Sequence, residues 1–137
     1  MNDTTKNPSA GFENDPYALA YPETREFWAA AEQCSLMLKT CDDCHKPHWY
    51  PRVICPLCGS ERTRWQRASG KGTLHAFSPA RRGDPPYVLA YVTLDEGPMV
   101  MSNIVDAEPE ALQIGQPVSV TWRAAKEGRM MPFFKPA

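Results

Sequence analysis

Two cysteine pairs, Cys41-Asp-Asp-Cys44 and Cys55-Pro-Leu-Cys58, stand ten residues apart, each with the C-x2-C spacing that lets one turn aim two sulfurs at a single ion. Four thiolates close a tetrahedral shell and leave no position for water or substrate, which is how structural zinc differs from catalytic zinc. A rubredoxin-like knuckle uses the same four ligands for iron, and would make the chain an electron carrier. Two disulfides would instead need an oxidising compartment, and a total of five cysteines suits a disulfide framework poorly. His45 and His48 lie between the pairs as surface groups or neighbours of a site that the cysteines already fill. Cys34 is left over, without a clear partner base, and reads as a buried or idle thiol.

Nothing else in the sequence has the form of catalytic machinery. There is no G-x-S-x-G elbow, no G-x-x-x-x-G-K-[ST] loop and no H-E-x-x-H helix. His75 is the sole histidine outside the cysteine region, and a lone histidine on a strand is more often packing or surface. The cations are distributed unevenly. Arg62, Arg64, Arg67, Lys71, Arg81 and Arg82 fall in a stretch without acids, while no lysine or arginine occurs between Gly83 and Trp122. Such a basic edge is either a solvated surface or a seat for an anionic ligand, nucleic acid or the phosphates of a nucleotide-like cofactor such as coenzyme A. The formal net charge of -1 weighs against a chain whose main work is holding nucleic acid.

Positioning these residues takes three parts. Pro22 opens a helical segment, Glu23 to Gln33, whose Phe27, Trp28 and Ala31 share a face. From Cys34 to about Trp65 the prolines and adjacent aromatics read as loop and short strand, a ribbon that depends on its metal. Beyond Ser69, strand formers cluster at Thr73 to Ser78, Tyr87 to Leu94, Met99 to Val105, Pro117 to Trp122 and Met130 to Phe134. Asp95-Glu-Gly-Pro turns the second into the third, and Glu108 to Leu112 is at most one helical turn. The expected fold class is mainly β: an N-terminal helix, a rubredoxin-like zinc ribbon and a five-stranded barrel of oligonucleotide/oligosaccharide-binding (OB) type. The expected division is a disordered or extended tail over 1–20, helix plus ribbon over 21–66 and OB domain over 67–137. An apolar fraction of 42% and a charged fraction of 23% are ordinary for a soluble protein, and no apolar run is long enough to span a membrane. The polar start has no basic-then-apolar leader, so the expected location is the cytoplasm.

The order of these parts is itself distinctive: REFWAAAEQ, then CDDC…YPRVICPLCGS, Trp65, SGKGTLHAFS, PPYVLAYVTLDEGPMVMSNIVD and IGQPVSVTW. From about Tyr21 to the C-terminus it resembles the acyl-CoA-associated zinc-ribbon/OB-fold proteins. The resemblance implies a non-catalytic accessory subunit of a thiolase-type enzyme acting on CoA thioesters, by carbon–carbon cleavage or acyl transfer in the catabolism of an aromatic or steroid-derived acid. It implies a hetero-oligomer in which the partner supplies the catalytic groups and this chain steadies it and helps wall a CoA channel. It carries over Cys41, Cys44, Cys55 and Cys58 as ligands of a structural Zn2+, and Gly70, Gly72 and Gly97 as turn or close-approach positions. Phe27 and Trp28 match its helix motif. Arg81 and Arg82 are assigned to CoA phosphates from their charge alone, and Cys34 departs from the pattern. The competing reading is a single-stranded nucleic-acid-binding module, in which Trp49, Tyr50 and Trp65 would stack bases beside the arginines.

Overall fold

The computed structural model describes residues 11–137. A short helix α1 (Pro16–Ala20) is followed by a 3-10 turn (Pro22–Thr24) that leads into α2 (Arg25–Ala31). Strands β1 (Met37–Cys41), β2 (Pro47–His48) and β3 (Thr63–Arg67) make an antiparallel sheet in the order β2-β1-β3. Then β4 (Lys71–Ala80), β5 (Tyr87–Leu94), β6 (Met99–Ile104), β7 (Pro117–Ala124) and β8 (Met130–Pro136) close a barrel in the order β4-β5-β6-β8-β7. The expected fold class is therefore the observed one, and the five barrel strands fall on the five segments where strand formers cluster. No helix among the described residues is long and apolar enough to cross a membrane.

The N-terminal tail needs correction. Residues 1–10 of it lie outside the described residues, whereas residues 11–20, expected to be disordered or extended, are folded. Asp15 caps α1 by accepting from the backbone N–H groups of Tyr17 at 2.8 Å and Ala18 at 3.3 Å, and Pro16 supplies a first helical residue that has no N–H to satisfy. α2 is shorter than the segment expected to be helical. It gives way at Glu32, and beyond it Cys34 takes φ +57, the left-handed geometry that usually falls to glycine past a helix end.

Helix and ribbon are joined through aromatic packing. Phe27 and Trp28 meet edge to face at 4.8 Å, and Trp49 leans on Phe27 at 5.2 Å. Trp28 donates its indole N–H to Thr24 Oγ1 at 3.1 Å, so the indole is buried with its polar atom satisfied. In the barrel, strict alternation along β5 sends Val88, Ala90, Val92 and Leu94 inward, where they meet Leu74, Val100, Ile104, Val118 and Phe134. Gly97, at φ +115, makes the tight turn between β5 and β6. Gly72 meets a different need, because a Cβ there would come within 2.6 Å of the Thr93 carbonyl and 2.8 Å of Val92 Cγ1. Gly72 is what allows β4 to cross so near β5.

Closure of the barrel joins a backbone bond, the Val105 N–H to the Phe134 carbonyl at 2.8 Å, with a side-chain contact. β6 and β8 run parallel and share one register pair, Ile104 with Phe134. Buried Ser102 strengthens this seam by donating its hydroxyl to the Pro132 carbonyl at 2.7 Å. Ser102→Ala would leave that carbonyl without its partner, and is expected to cost about 1–3 kcal/mol. Urea unfolding of the two proteins checks this, and an unchanged midpoint would show that the backbone alone closes the seam.

Candidate metal centre

The four expected ligands converge. Cys41 ends β1, Cys44 closes the following turn, and Cys55 and Cys58 flank the second turn before β3. Their sulfurs all lie within 4.8 Å of one another, with Cys41 and Cys58 at 3.5 Å and Cys44 and Cys55 at 3.8 Å. A tetrahedral ion with sulfur ligands at about 2.3 Å requires edges near 3.8 Å, so the cluster has the right size for zinc. Backbone N–H groups already point at the sulfurs: Asp43 at 3.3 Å and Cys44 at 3.5 Å from Cys41 Sγ, and Leu57 at 3.4 Å from Cys55 Sγ. Each turn therefore offers positive dipoles to thiolates.

The acidities of these thiols follow from the packing. The Cys44 N–H, joined by that of Asp43 and by neighbouring thiols, outweighs burial and holds Cys41 down at about 6. For Cys58 the Ser60 N–H pulls downward, but burial and the other three sulfurs push the thiol up to about 12. Four sulfurs this close cannot all become thiolates without a cation among them, which is the chemistry of a metal-binding donor set.

The arginines following the second knuckle turn out to be ribbon fasteners. Arg62 donates to Asp43, which also accepts from the Ser60 hydroxyl, and Arg64 donates to Asp42 at 2.8 Å. The guanidinium of Arg62, with Ser60, holds the Asp43 carboxyl at about 2. Asp42 is thus tied to β3 and Asp43 to the residue just before it. Trp65 is occupied too, with the Lys39 ammonium 4.7 Å from its ring centroid.

His45 and Cys34 both fall outside the sulfur cluster. His48 is buried on β2, and its Nε2 accepts from the Arg52 backbone N–H at 3.3 Å. Nδ1 has no hydrogen-bond partner, so protonating the ring would bury a charge. Burial, reinforced by Lys39 and Arg52, outweighs the Arg52 contact and lowers the pKa of His48 from its usual 6.5. Below pH 6.5 the unfolded chain takes up a proton that the fold refuses, so this contribution to stability is full above 6.5 and is lost as pH falls toward the lower folded value. Denaturant unfolding in saturating zinc between pH 7.5 and 5.5 is expected to show this loss. His48→Gln should flatten the slope, and equal slopes would assign it to other groups.

Arg81 and Arg82 open the turn that follows β4, in the barrel rather than in the ribbon. Arg81 contacts Glu110 at 3.1 Å on the rim of an open depression of about 530 Å3 that also includes Tyr87, Asp106 and Glu108. Arg82 is exposed and makes no ion pair among the described residues.

The residues that sequence reading missed are Asp15, at the start of α1, and Arg129, in the turn before β8. Asp15, fully buried, accepts from Arg129 Nη1 at 2.9 and 3.1 Å and from the Arg129 backbone N–H at 3.2 Å. The same guanidinium lies over the rings of Tyr17 at 4.8 Å and Trp28 at 5.6 Å. The one local signal was the Asp-Pro pair at 15–16, a helix-start signature, and nothing in the sequence pointed to Arg129.

Comparison with known proteins places this arrangement among relatives. A family model described as ChsH2, rubredoxin-like zinc ribbon domain, matches residues 28–64, and one described as ChsH2, C-terminal OB-fold domain, matches residues 65–123. A DUF35 domain-containing scaffold protein of Methanothermobacter thermautotrophicus is 33% identical over 113 residues, 77% of this chain and 85% of that protein. A probable enoyl-CoA hydratase alpha subunit of Thermomonospora curvata is 33% identical over 135 residues, 91% of this chain, but the chain spans only 42% of that protein's length. Among solved structures, the Ltp2-ChsH2(DUF35) aldolase superposes with a TM-score of 0.73 at 30% identity, over 82% of this chain and 93% of that one. A Sulfolobus solfataricus protein of unknown function from the DUF35 family, 11% identical with a TM-score of 0.64, shares the fold.

Proposed function

Since the chain belongs to the DUF35 family of ChsH2-type zinc-ribbon/OB-fold proteins, we propose that it is the zinc-bearing, non-catalytic accessory subunit of an enzyme that acts on CoA thioesters. The observation that carries this reading is the match, over 82% of the chain, to a chain of an aldolase named for two components, Ltp2 and ChsH2. Relatives described as scaffold proteins and as a hydratase subunit support the same role. The catalytic partner is a thiolase-type subunit that breaks or makes a carbon–carbon bond, or transfers an acyl group, in the catabolism of an aromatic or steroid-derived acid. Both proteins work in the cytoplasm, where thiols stay reduced and available to the metal.

The mechanism is indirect. The metal fixes the two knuckles, the Phe27, Trp28 and Trp49 cluster transmits that rigidity to α2, and the barrel offers a preformed surface to the partner. Assembly then holds the partner's catalytic groups in productive geometry, which is where an accessory chain gains its effect on rate. Arg81 and Arg82 contribute cations toward the CoA phosphates at the shared boundary. For Arg81 this means exchanging Glu110 for phosphate, which is feasible because both side chains are largely exposed.

The test is co-purification of the tagged chain from its native host, with metal analysis and an assay for thiolytic carbon–carbon cleavage of acyl-CoA substrates. A stoichiometric catalytic chain, one zinc per accessory chain and that thiolytic activity are the expected results. Recovery of the chain alone, or with nucleic acid that salt releases, would overturn the reading in favour of a binding module.

A further inference from the structure

The four cysteines of the metal cluster are not equally sheltered. Cys41 and Cys55 are buried and Cys44 is half-buried, whereas Cys58 is exposed. Cys58 also borders an open depression of about 350 Å3 that it shares with Asp43, Cys44, Gly59 and Ser60. Gly59, the next residue, stands at φ +80, and a Cβ built on it would meet nothing within 4 Å. The second knuckle therefore leaves one corner of the cluster open to small solutes, and the cysteine at that corner is Cys58.

Cysteines that hold zinc do so as thiolates, and the thiolate is the form of the side chain that attacks peroxides. A sulfur shielded by the fold is kept from that reaction. An accessible one reacts, and its oxidation stops at a reversible product when a second thiol stands close enough to trap the sulfenic acid as a disulfide. Cys41 Sγ lies 3.5 Å from Cys58 Sγ and belongs to the other knuckle. A disulfide holds its sulfurs at about 2.05 Å, so the two must approach by about 1.5 Å, a shift that the exposed turn over 56–59 can supply. Disulfides of this transient kind are the ones found in reducing compartments.

We propose that the ribbon is a peroxide-sensitive switch in which Cys58 is oxidised first, Cys41 traps it as a disulfide, and the zinc is released. The Cys58 thiolate attacks one oxygen of hydrogen peroxide, the O–O bond breaks and hydroxide leaves. Two electrons pass from sulfur to peroxide, and Cys58 becomes a sulfenic acid. The Cys41 thiolate then attacks the Cys58 sulfur, the S–S bond forms, and the sulfenic oxygen leaves as a second hydroxide. Both hydroxides take up protons and become water. Cys44 and Cys55 remain, two ligands where a structural site needs four, so the ion passes to solvent and these two sulfurs take up protons. A dithiol reductant supplies the two electrons that reverse the step, and added zinc refills the site. Oxidation loosens the ribbon and with it the contact of Trp49 on Phe27, while the barrel keeps its own core. Cys34 is also exposed but lies outside the cluster, so its oxidation leaves the zinc in place. The switch resides in this chain alone and stands whether or not the accessory-subunit reading does.

The experiment treats the zinc-loaded full chain with hydrogen peroxide, follows released zinc with a chromophoric chelator, and maps disulfides by mass spectrometry of unreduced peptides after free thiols are blocked. One zinc released for each Cys41–Cys58 disulfide is expected, with recovery of bound zinc after dithiothreitol and added Zn2+. Cys58→His keeps a Cys3His set of the kind that holds structural zinc, and is expected to slow peroxide-driven release by about tenfold or more. Cys44→His retains the exposed sulfur and should stay sensitive, and Cys34→Ser should release zinc as fast as wild type. Should a histidine variant fail to load zinc, limiting iodoacetamide on the zinc-loaded wild type gives the second readout, and Cys58 should be labelled ahead of the other three ligands. Zinc that stays bound while Cys34 is oxidised, a disulfide that maps to another pair, or first labelling of a different ligand would each overturn the switch.

Discussion

Cys41→Ser or Cys55→Ser is expected to abolish tight metal binding and, with it, the folded ribbon. Both residues are fully buried at the centre of the cluster, and the ribbon sheet consists of two five-residue strands and one of two residues. A sheet that small buries little apolar surface, so the free energy of binding the ion is the greater part of its folding free energy. A serine hydroxyl is a far poorer zinc ligand than a thiolate at neutral pH, and zinc affinity should fall by several orders of magnitude. The barrel has its own core around Leu74, Val92, Val100 and Phe134 and should survive. The expected pattern is loss of the one zinc per chain and loss of the near-ultraviolet signal of Trp49 and Trp65, with the β-sheet signal of the barrel retained. A strong chelator should reproduce it in the wild type. Full zinc content in either variant, or an unchanged aromatic signal after chelation, would show that the ribbon folds without the metal.

The ligand set was legible because its information is local. Two residues separate the members of each pair, so one turn satisfies the geometry wherever the rest of the chain goes. The barrel strands were legible for a related reason: strand-forming residues cluster in short local runs, and the Asp95 to Pro98 turn fixes the pairing of β5 with β6. Function-bearing charges were harder to read. The stretch from Arg62 to Arg82 looked like a continuous basic edge, yet Arg62 and Arg64 answer Asp43 and Asp42 from the facing side of the ribbon. Counting charges along the chain could not show that, because the partners are 19 and 22 residues away. Trp49, Tyr50 and Trp65 were read together as the base-stacking residues of the competing nucleic-acid reading. The fold turns the indole of Trp49 onto Phe27, while Tyr50 faces Tyr17 across 3.4 Å between hydroxyls. Neighbours in sequence thus serve different surfaces.

Arg129→Ala is expected to destabilise the protein by about 3–5 kcal/mol, because it leaves the Asp15 carboxylate buried without its counter-charge. The contact joins residues 114 positions apart and fastens the N-terminal helix to the turn between β7 and β8. Burial alone would raise the pKa of Asp15, but the Arg129 guanidinium and the N–H groups of Ala18, Arg129 and Tyr17 overcome it and hold the carboxyl below its ordinary 3.8. Asp15 therefore contributes stability that is fully present above pH 3.8 and is lost as pH falls through the lower folded value. Arg129→Lys should recover only part of the loss. An ammonium cannot make the two-oxygen contact while lying flat against the Tyr17 and Trp28 rings, as the guanidinium does. The double replacement Asp15→Asn with Arg129→Met should be milder than Arg129→Ala, since removing both charges removes the need to compensate either. Urea unfolding gives the magnitudes, and amide exchange locates the effect, which should appear first in residues 16–31 while the barrel strands keep their protection. A loss below about 1 kcal/mol for Arg129→Ala would mean that water reaches Asp15 readily. The N-terminal helix would then be held by its aromatic contacts alone.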